Sequence, residues 1–167
     1  MLGFGKAADA RRVSKRRNLK AKTPRVALET KHTERCRVLP DRLALLDRLS
    51  REGVVAEIGV AFGDFAVEIL GRTRPKCLYL VDAWKGGRYE SGLARIQSLF
   101  SAEIANGMVR VCQGYSTAKL LEFEDSFFDW VYLDTDHTFE TTFKELVLCH
   151  RKVKAPWAHC RSRFLYG

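Results

Sequence analysis

Glu57, Asp82, Asp134, Asp136 and His137 combine chemistry-bearing types with positions at the ends of apolar runs in this sequence of 167 residues. Glu57 opens the run Glu57-Ile58-Gly59-Val60-Ala61-Phe62-Gly63. Glycine at positions 59 and 63 lets the backbone turn tightly and lets a ligand approach it closely. A dinucleotide-binding turn would read G-x-G-x-x-G and seat a pyrophosphate on a helix N-terminus. This turn lacks that spacing, and a carboxylate beside it suits a cationic ligand better than a pyrophosphate. Two glycines in such a turn can also serve packing alone. Asp82 stands 19 residues beyond Gly63, at the end of another apolar run. A carboxylate there can accept hydrogen bonds from both hydroxyls of a ribose, or cap the segment that follows.

Asp134, Asp136 and His137 close a third apolar run, Phe128-Asp129-Trp130-Val131-Tyr132-Leu133-Asp134. Two acids and an imidazole at this spacing can take a proton from a bound hydroxyl. Hard oxygen donors such as Asp134 and Asp136 can also hold a divalent ion of the Mg²⁺ type. His137 has a plainer role open to it, as a helix-start residue bonded locally. The pairs Cys149-His150 and His159-Cys160 do not have the spacing of a usual zinc site.

Such groups need a frame. Pro40-Asp41 opens a helix with Leu43, Leu45, Leu46 and Leu49 on one stripe, stopped by Gly53. Val54 to Ile58 reads as a buried strand, Asp64 to Leu70 as a helix closed by Gly71, and Cys77 to Asp82 as a second strand. Ser91 to Ala105 is helical, with Leu93, Ile96, Leu99, Phe100 and Ile104 inward, and Asn106-Gly107 ends it. Val109 to Cys112 is a third strand, Ser116 caps a short helix through Leu121, and Phe128 to Asp134 is a fourth strand. Thr138 to Lys152 is a last amphipathic helix, with Phe139, Phe143, Leu146 and Val147 expected to face the core. Strands alternating with helices imply βαβ units, a parallel sheet and an α/β fold. In such sheets ligands bind beyond the carboxyl ends of the strands, where Glu57, Asp82 and Asp134 stand.

The net charge of +9 is uneven. Residues 1–50 hold 14 Lys and Arg against 5 Asp and Glu, and the remainder holds 15 against 15. The densest run, Arg11-Arg12-Val13-Ser14-Lys15-Arg16-Arg17, can attract nucleic acid or an anionic membrane face. It also reads as a solvated arm or, more weakly, as a transit peptide. No stretch is apolar enough to span a bilayer, and a secretory signal is not expected, because the N-terminus has no apolar run before a small-residue cleavage site. Five cysteines without a C-x-x-C pair indicate a reduced, cytoplasmic protein. The expected division is a basic, irregular arm over 1–38, one domain over 39–154, and an atypical tail over 155–167.

Four segments together carry a resemblance. They are Glu57-x-Gly59-x-x-x-Gly63, Leu80-Val81-Asp82-Ala83-Trp84, Gln113-Gly114-Tyr115-Ser116, and Phe128 through Asp134-Thr135-Asp136-His137-Thr138-Phe139-Glu140. From Val54 to Lys154 the chain resembles one group of class I S-adenosylmethionine-dependent methyltransferases. In that group the fourth strand ends in Asp-x-Asp-His-x-Tyr-Glu, and Phe139 here stands for the tyrosine. The resemblance implies a Rossmann-like three-layer α/β sandwich with S-adenosyl-L-methionine as cofactor. Glu57, Gly59 and Gly63 would line its methionine end, and Asp82 would hold the ribose with Trp84 beside it. Gln113 to Ser116 would border the adenine, and Asp134 would sit near the transferring methyl. Asp134 and His137 are then the candidate catalytic pair, and Asp134 and Asp136 the candidate ligands of Mg²⁺. Related O-methyltransferases complete such a metal site with acids after a fifth strand, and no acid follows Lys152 here.

The resemblance breaks off where relatives run into Lys-Pro-Gly-Gly and further strands. The expected sheet therefore lacks the usual C-terminal strands, with a fourth strand left as an edge open to self-association. The implied activity is methyl transfer to the oxygen of a small-molecule or sugar hydroxyl. An inactive cofactor-binding fragment, an NAD-dependent oxidoreductase on a similar sheet, and nucleic-acid binding through the basic arm are the competing readings.

Overall fold

Apolar residues in the strand segments alternate between two buried sets, as they must when a sheet is covered on both faces. The computed structural model describes residues 23–155, together with Val13, Ser14, Arg17, Asn18 and Ala21. Most of the basic run 11–17 and the tail 156–167 lie outside those residues, and so do the expectations placed on them. The chain divides into two units, Met1–Val38 and Leu39–Gly167. In the first unit, expected to be irregular, the described Val13, Ser14, Arg17, Asn18 and Ala21 are helical, and Thr30–Thr33 forms a helical turn.

The second unit carries a four-stranded sheet: β1 (Val54–Ile58), β2 (Cys77–Asp82), β3 (Val109–Gln113) and β4 (Trp130–Leu133). All pairings are parallel and the order is β3-β2-β1-β4. Glu57 stands opposite Leu80 on one side and Tyr132 on the other. Among the described residues of the unit, six α-helices flank the sheet, α1 (Arg42–Leu46), α2 (Asp64–Thr73), α3 (Gly92–Leu99), α4 (Ser101–Ala105), α5 (Ser116–Glu122) and α6 (Phe139–Lys152), with a 3-10 turn at Gly87–Tyr89. One face of the sheet, through Val55, Leu78, Leu80, Trp130 and Tyr132, packs on Leu46, Phe65, Ile69, Ile96 and Phe100. The other, through Ala56, Ile58, Val81, Val131 and Leu133, packs on Leu120 and Cys149. The result is a three-layer α/β sandwich. The chain leaves β1 for β2 and later returns beside β1 as β4, so the topological switch point lies between those two strands.

Several expected elements are corrected. The first helix ends at Leu46, and Leu49 follows in a turn. Gly71 lies inside α2, where an added Cβ would meet nothing within 4 Å. That helix is stopped by Arg74, which turns left-handed at φ 44° while its N–H donates to the Leu70 carbonyl. The stretch 91–105 is two helices, broken at Phe100, whose backbone leaves the helical region at φ −110° and ψ 27°. Leu99 is left largely exposed. Ser116 does not cap α5 with its side chain; Tyr115 occupies the cap position.

The largest correction concerns α6. Glu145, Cys149 and Lys152 point inward, while Phe139, Phe143, Leu146 and Val147 point out. Polar tethers at three levels set this rotation. Asp136 and Thr138 hold the first turn, Thr135 Oγ1 donates to Glu145 at 2.9 Å, and Lys152 Nζ donates to the Phe123 carbonyl and Asp125 at 2.7 and 2.8 Å. A groove of about 510 Å³ runs between α5 and α6, lined by Leu121, Phe143, Val147 and Leu148 among others.

Candidate active site

Every turn at the carboxyl rim of the sheet holds a residue in the left-handed region. These are Gly59, Ala61 and Gly63 after β1, Trp84 after β2, Gly114 after β3, and His137 after β4. Non-glycine residues seldom adopt it, and clusters of such residues mark functional rims. Gly59 is required by contact as well as by φ. An added Cβ would lie 2.1 Å from the Asp134 carbonyl oxygen, so the β1 turn and the end of β4 touch backbone to backbone. Gly63 meets a side chain instead, with its virtual Cβ 2.4 Å from Ile96 Cδ1.

Glu57 is only 2% exposed, at the switch point between β1 and β4. Its Oε2 is buried with no hydrogen-bond partner. Burial pushes its carboxyl well above the usual range; Asp134, Asp82 and Asp64 push the same way, and Arg42 opposes them. The structure thus gathers Glu57, Asp82 and Asp134 at one rim. Sequence reasoning missed Arg42, whose guanidinium enters from α1. It lies 3.5 Å from Asp134 Oδ2 and 4.4 Å from the centroid of the Phe65 ring.

Asp82 is already engaged by its own loops. Oδ2 accepts from the N–H groups of Val60 and Ala61 at 2.8 and 2.9 Å, and Oδ1 accepts from the Trp84 N–H at 2.7 Å. It pins the glycine turn in place. Trp84, expected beside a ribose, is a core residue at 3% exposure. Its indole Nε1 donates to the Ala61 carbonyl at 2.8 Å, so it braces the turn from behind. Gln113 is exposed and stands in register with Asp82. The exposed Tyr115 ring beside it lies 5.5 Å from Lys85 Nζ.

Beyond β4 the expected cluster divides. His137 Nε2 lies 3.2 Å from Asp134 Oδ1, a carboxylate–imidazole pair on the rim. Asp136 turns away: Oδ1 accepts from the Thr138 N–H and Oδ2 from the Thr141 hydroxyl, both at 2.9 Å. Its carboxylate holds the start of α6. Among the described residues no group of three or more His, Cys, Asp or Glu side chains is placed to hold a metal ion, so Asp134 and Asp136 belong to no such group. Ser116 faces Glu145 on the opposite side of the sheet from Glu57. Glu145 is fully buried with Oε1 unpartnered, and burial raises its carboxyl while the Ser116 and Thr135 hydroxyls oppose that. Apolar patterning could not have found Glu145, because it lies within a helix read by its phenylalanines.

A family model described as a methyltransferase domain matches residues 56–156, more than half of the chain. The chain belongs to this methyltransferase family. Among solved structures, the methyltransferase domain resembles precorrin-6y C5,15-methyltransferase from Geobacter metallireducens, with a TM-score of 0.51 and 16% identity over 68% of this chain and 55% of that one. It also resembles a protein provisionally designated a sarcosine dimethylglycine methyltransferase from Galdieria sulphuraria, with a TM-score of 0.52 and 17% identity over 68% and 40%. These likenesses establish the Rossmann-like fold. The chain spans between 35% and 55% of the length of eight solved structures that it matches. No curated protein matches the sequence. Among the described residues no helix of the domain is long and apolar enough to cross a membrane.

Proposed function

We propose that this chain carries the cofactor half of an S-adenosyl-L-methionine-dependent methyltransferase that acts on a hydroxyl of a small molecule or sugar. One observation carries the reading: Glu57, buried with an unpartnered oxygen at the switch point, amid Asp64, Asp82 and Asp134. Such a cluster calls for a cation and repels a pyrophosphate, which disfavours NAD. When bound, the cofactor supplies a methyl carbon on a positive sulfur, open to in-line displacement.

The residues of the chain do the rest. Glu57 and Asp134 offset positive charge. Asp82 fixes the Gly59–Gly63 turn through Val60 and Ala61 and has acceptor capacity left for a ribose hydroxyl. Gln113 and the exposed Tyr115 border the space for a purine. His137, whose Nε2 lies 3.2 Å from Asp134 Oδ1, is the imidazole assigned to take the proton that an attacking hydroxyl loses. We place the protein in the cytoplasm, a reading supported by free thiols at Cys36, Cys77, Cys112 and Cys149.

Calorimetric titration tests the reading. S-adenosylhomocysteine is expected to bind and NAD is not. Asp82→Ala should weaken S-adenosylhomocysteine by about tenfold or more, through loss of the pinned turn and a ribose acceptor. Absence of S-adenosylhomocysteine binding to the intact protein overturns it.

A further inference from the structure

We propose that Arg42 makes the site selective for a ligand that carries a carboxylate beside its cationic group. This deepens the cofactor reading above and rests on it. A rim of acids alone would accept any nucleoside with a positive side chain. Arg42 adds a cation to that rim, close to the Asp134 and Glu57 carboxylates. An α-amino acid head carries its ammonium and carboxylate on one carbon, so its receptor must present an acid and a base side by side. Arg42 and Asp134, 3.5 Å apart, have that arrangement.

The position of Arg42 is built in. Asp41 Oδ1 accepts from the Ala44 N–H at 2.8 Å and so starts α1 at residue 42. Leu45 and Leu46 are buried and hold the helix against the sheet domain. The Phe65 ring supports the guanidinium at 4.4 Å, and Phe65 in turn packs at 4.4 Å, tilted by 42°, against Tyr132, the neighbour of Glu57 across the sheet. At 3.5 Å the ion pair with Asp134 is longer than a hydrogen bond, so it leaves N–H donors of the fork for a bidentate carboxylate. Entry of a zwitterionic head exchanges one internal ion pair for two, with no net charge brought into the site. The carboxylate takes Arg42 and the ammonium takes Asp134 and Glu57.

The test compares two thioether nucleosides by calorimetry on the intact protein: S-adenosylhomocysteine and its decarboxylated form, which keeps the amine. The wild-type protein should favour S-adenosylhomocysteine by about tenfold to a hundredfold, the range of a charge-assisted bidentate contact. Arg42→Met should abolish that preference, leaving the decarboxylated amine bound equally well or more tightly. Arg42→Lys should restore part of it. Thermal unfolding of each variant separates loss of fold from loss of contact. Equal affinity of the wild-type protein for the two ligands overturns the proposal, and so does an equal loss for both in a folded Arg42→Met protein. Failure of both ligands to bind the wild-type protein overturns the cofactor reading itself.

Discussion

Glu57 concentrates the electrostatics of this molecule in one buried carboxyl. Because burial and three acids raise its folded value above the unfolded one, the folded protein holds a proton there that the unfolded chain releases. Its favourable contribution is complete below the ordinary carboxylate range and is lost as pH rises through the raised value. Glu57→Gln keeps the shape and removes the titration. It should match the parent protein near pH 4 and become the more stable of the two by roughly 1.4 kcal/mol per pH unit across the window, measured by urea unfolding at several pH values. The same shift predicts that a cationic ligand ionises Glu57 on binding and releases a proton, visible as a dependence of calorimetric enthalpy on the buffer. At Gly59, alanine would bring its Cβ onto the Asp134 carbonyl at a φ of +93°. We expect a loss of at least about 2 kcal/mol, because neither backbone can yield. Glu57, Gly59, Asp82 and Asp134 were legible in the sequence because strand ends of a parallel sheet share one rim. Arg42 and Glu145 were not, since each arrives from a helix whose rotation depends on what it packs against.

Elements show where periodicity misleads. The apolar stripe of α6 predicted an inward face of Phe139, Phe143, Leu146 and Val147, and the structure turns that face outward. The hydrogen bonds of Asp136, Glu145 and Lys152 fix a rotation that apolar spacing alone does not encode. Phe143→Glu should therefore change unfolding free energy by no more than about 0.5 kcal/mol. Cys149→Asp, which buries an unpaired charge, should cost about 3 kcal/mol or more. Urea denaturation of the two variants checks the assignment of faces. In α2 the opposite correction applies. Gly71 sits in the helix interior facing open space. Gly71→Ala should stabilise by about 0.5–1 kcal/mol, seen as a raised midpoint with an unchanged slope.

For the whole molecule, the exposed stripe on α6 and the outer edge of β4 have a joint consequence. Among the described residues that edge is met only by the bridge from Phe128 to Val153. Apolar patches and open strand edges both favour pairing between copies. We expect weight-average mass in sedimentation to rise with concentration, and Phe143→Glu to reduce the rise. A clean monomer at high concentration in the parent protein would refute this.

The sequence by itself determined the parallel α/β sheet and the rim of carboxylates. Strand length, apolar alternation and glycine spacing are local properties, and the rule that parallel strands present one common end does the rest. Only the tertiary structure decided which way α6 faces, that the Asp136 carboxylate bonds Thr138 and Thr141 at the start of α6, that Trp84 braces from the core, and that Arg42 enters the acid cluster. Those outcomes depend on hydrogen bonds and ion pairs between elements far apart in the chain, and such pairings leave no period along the sequence to read.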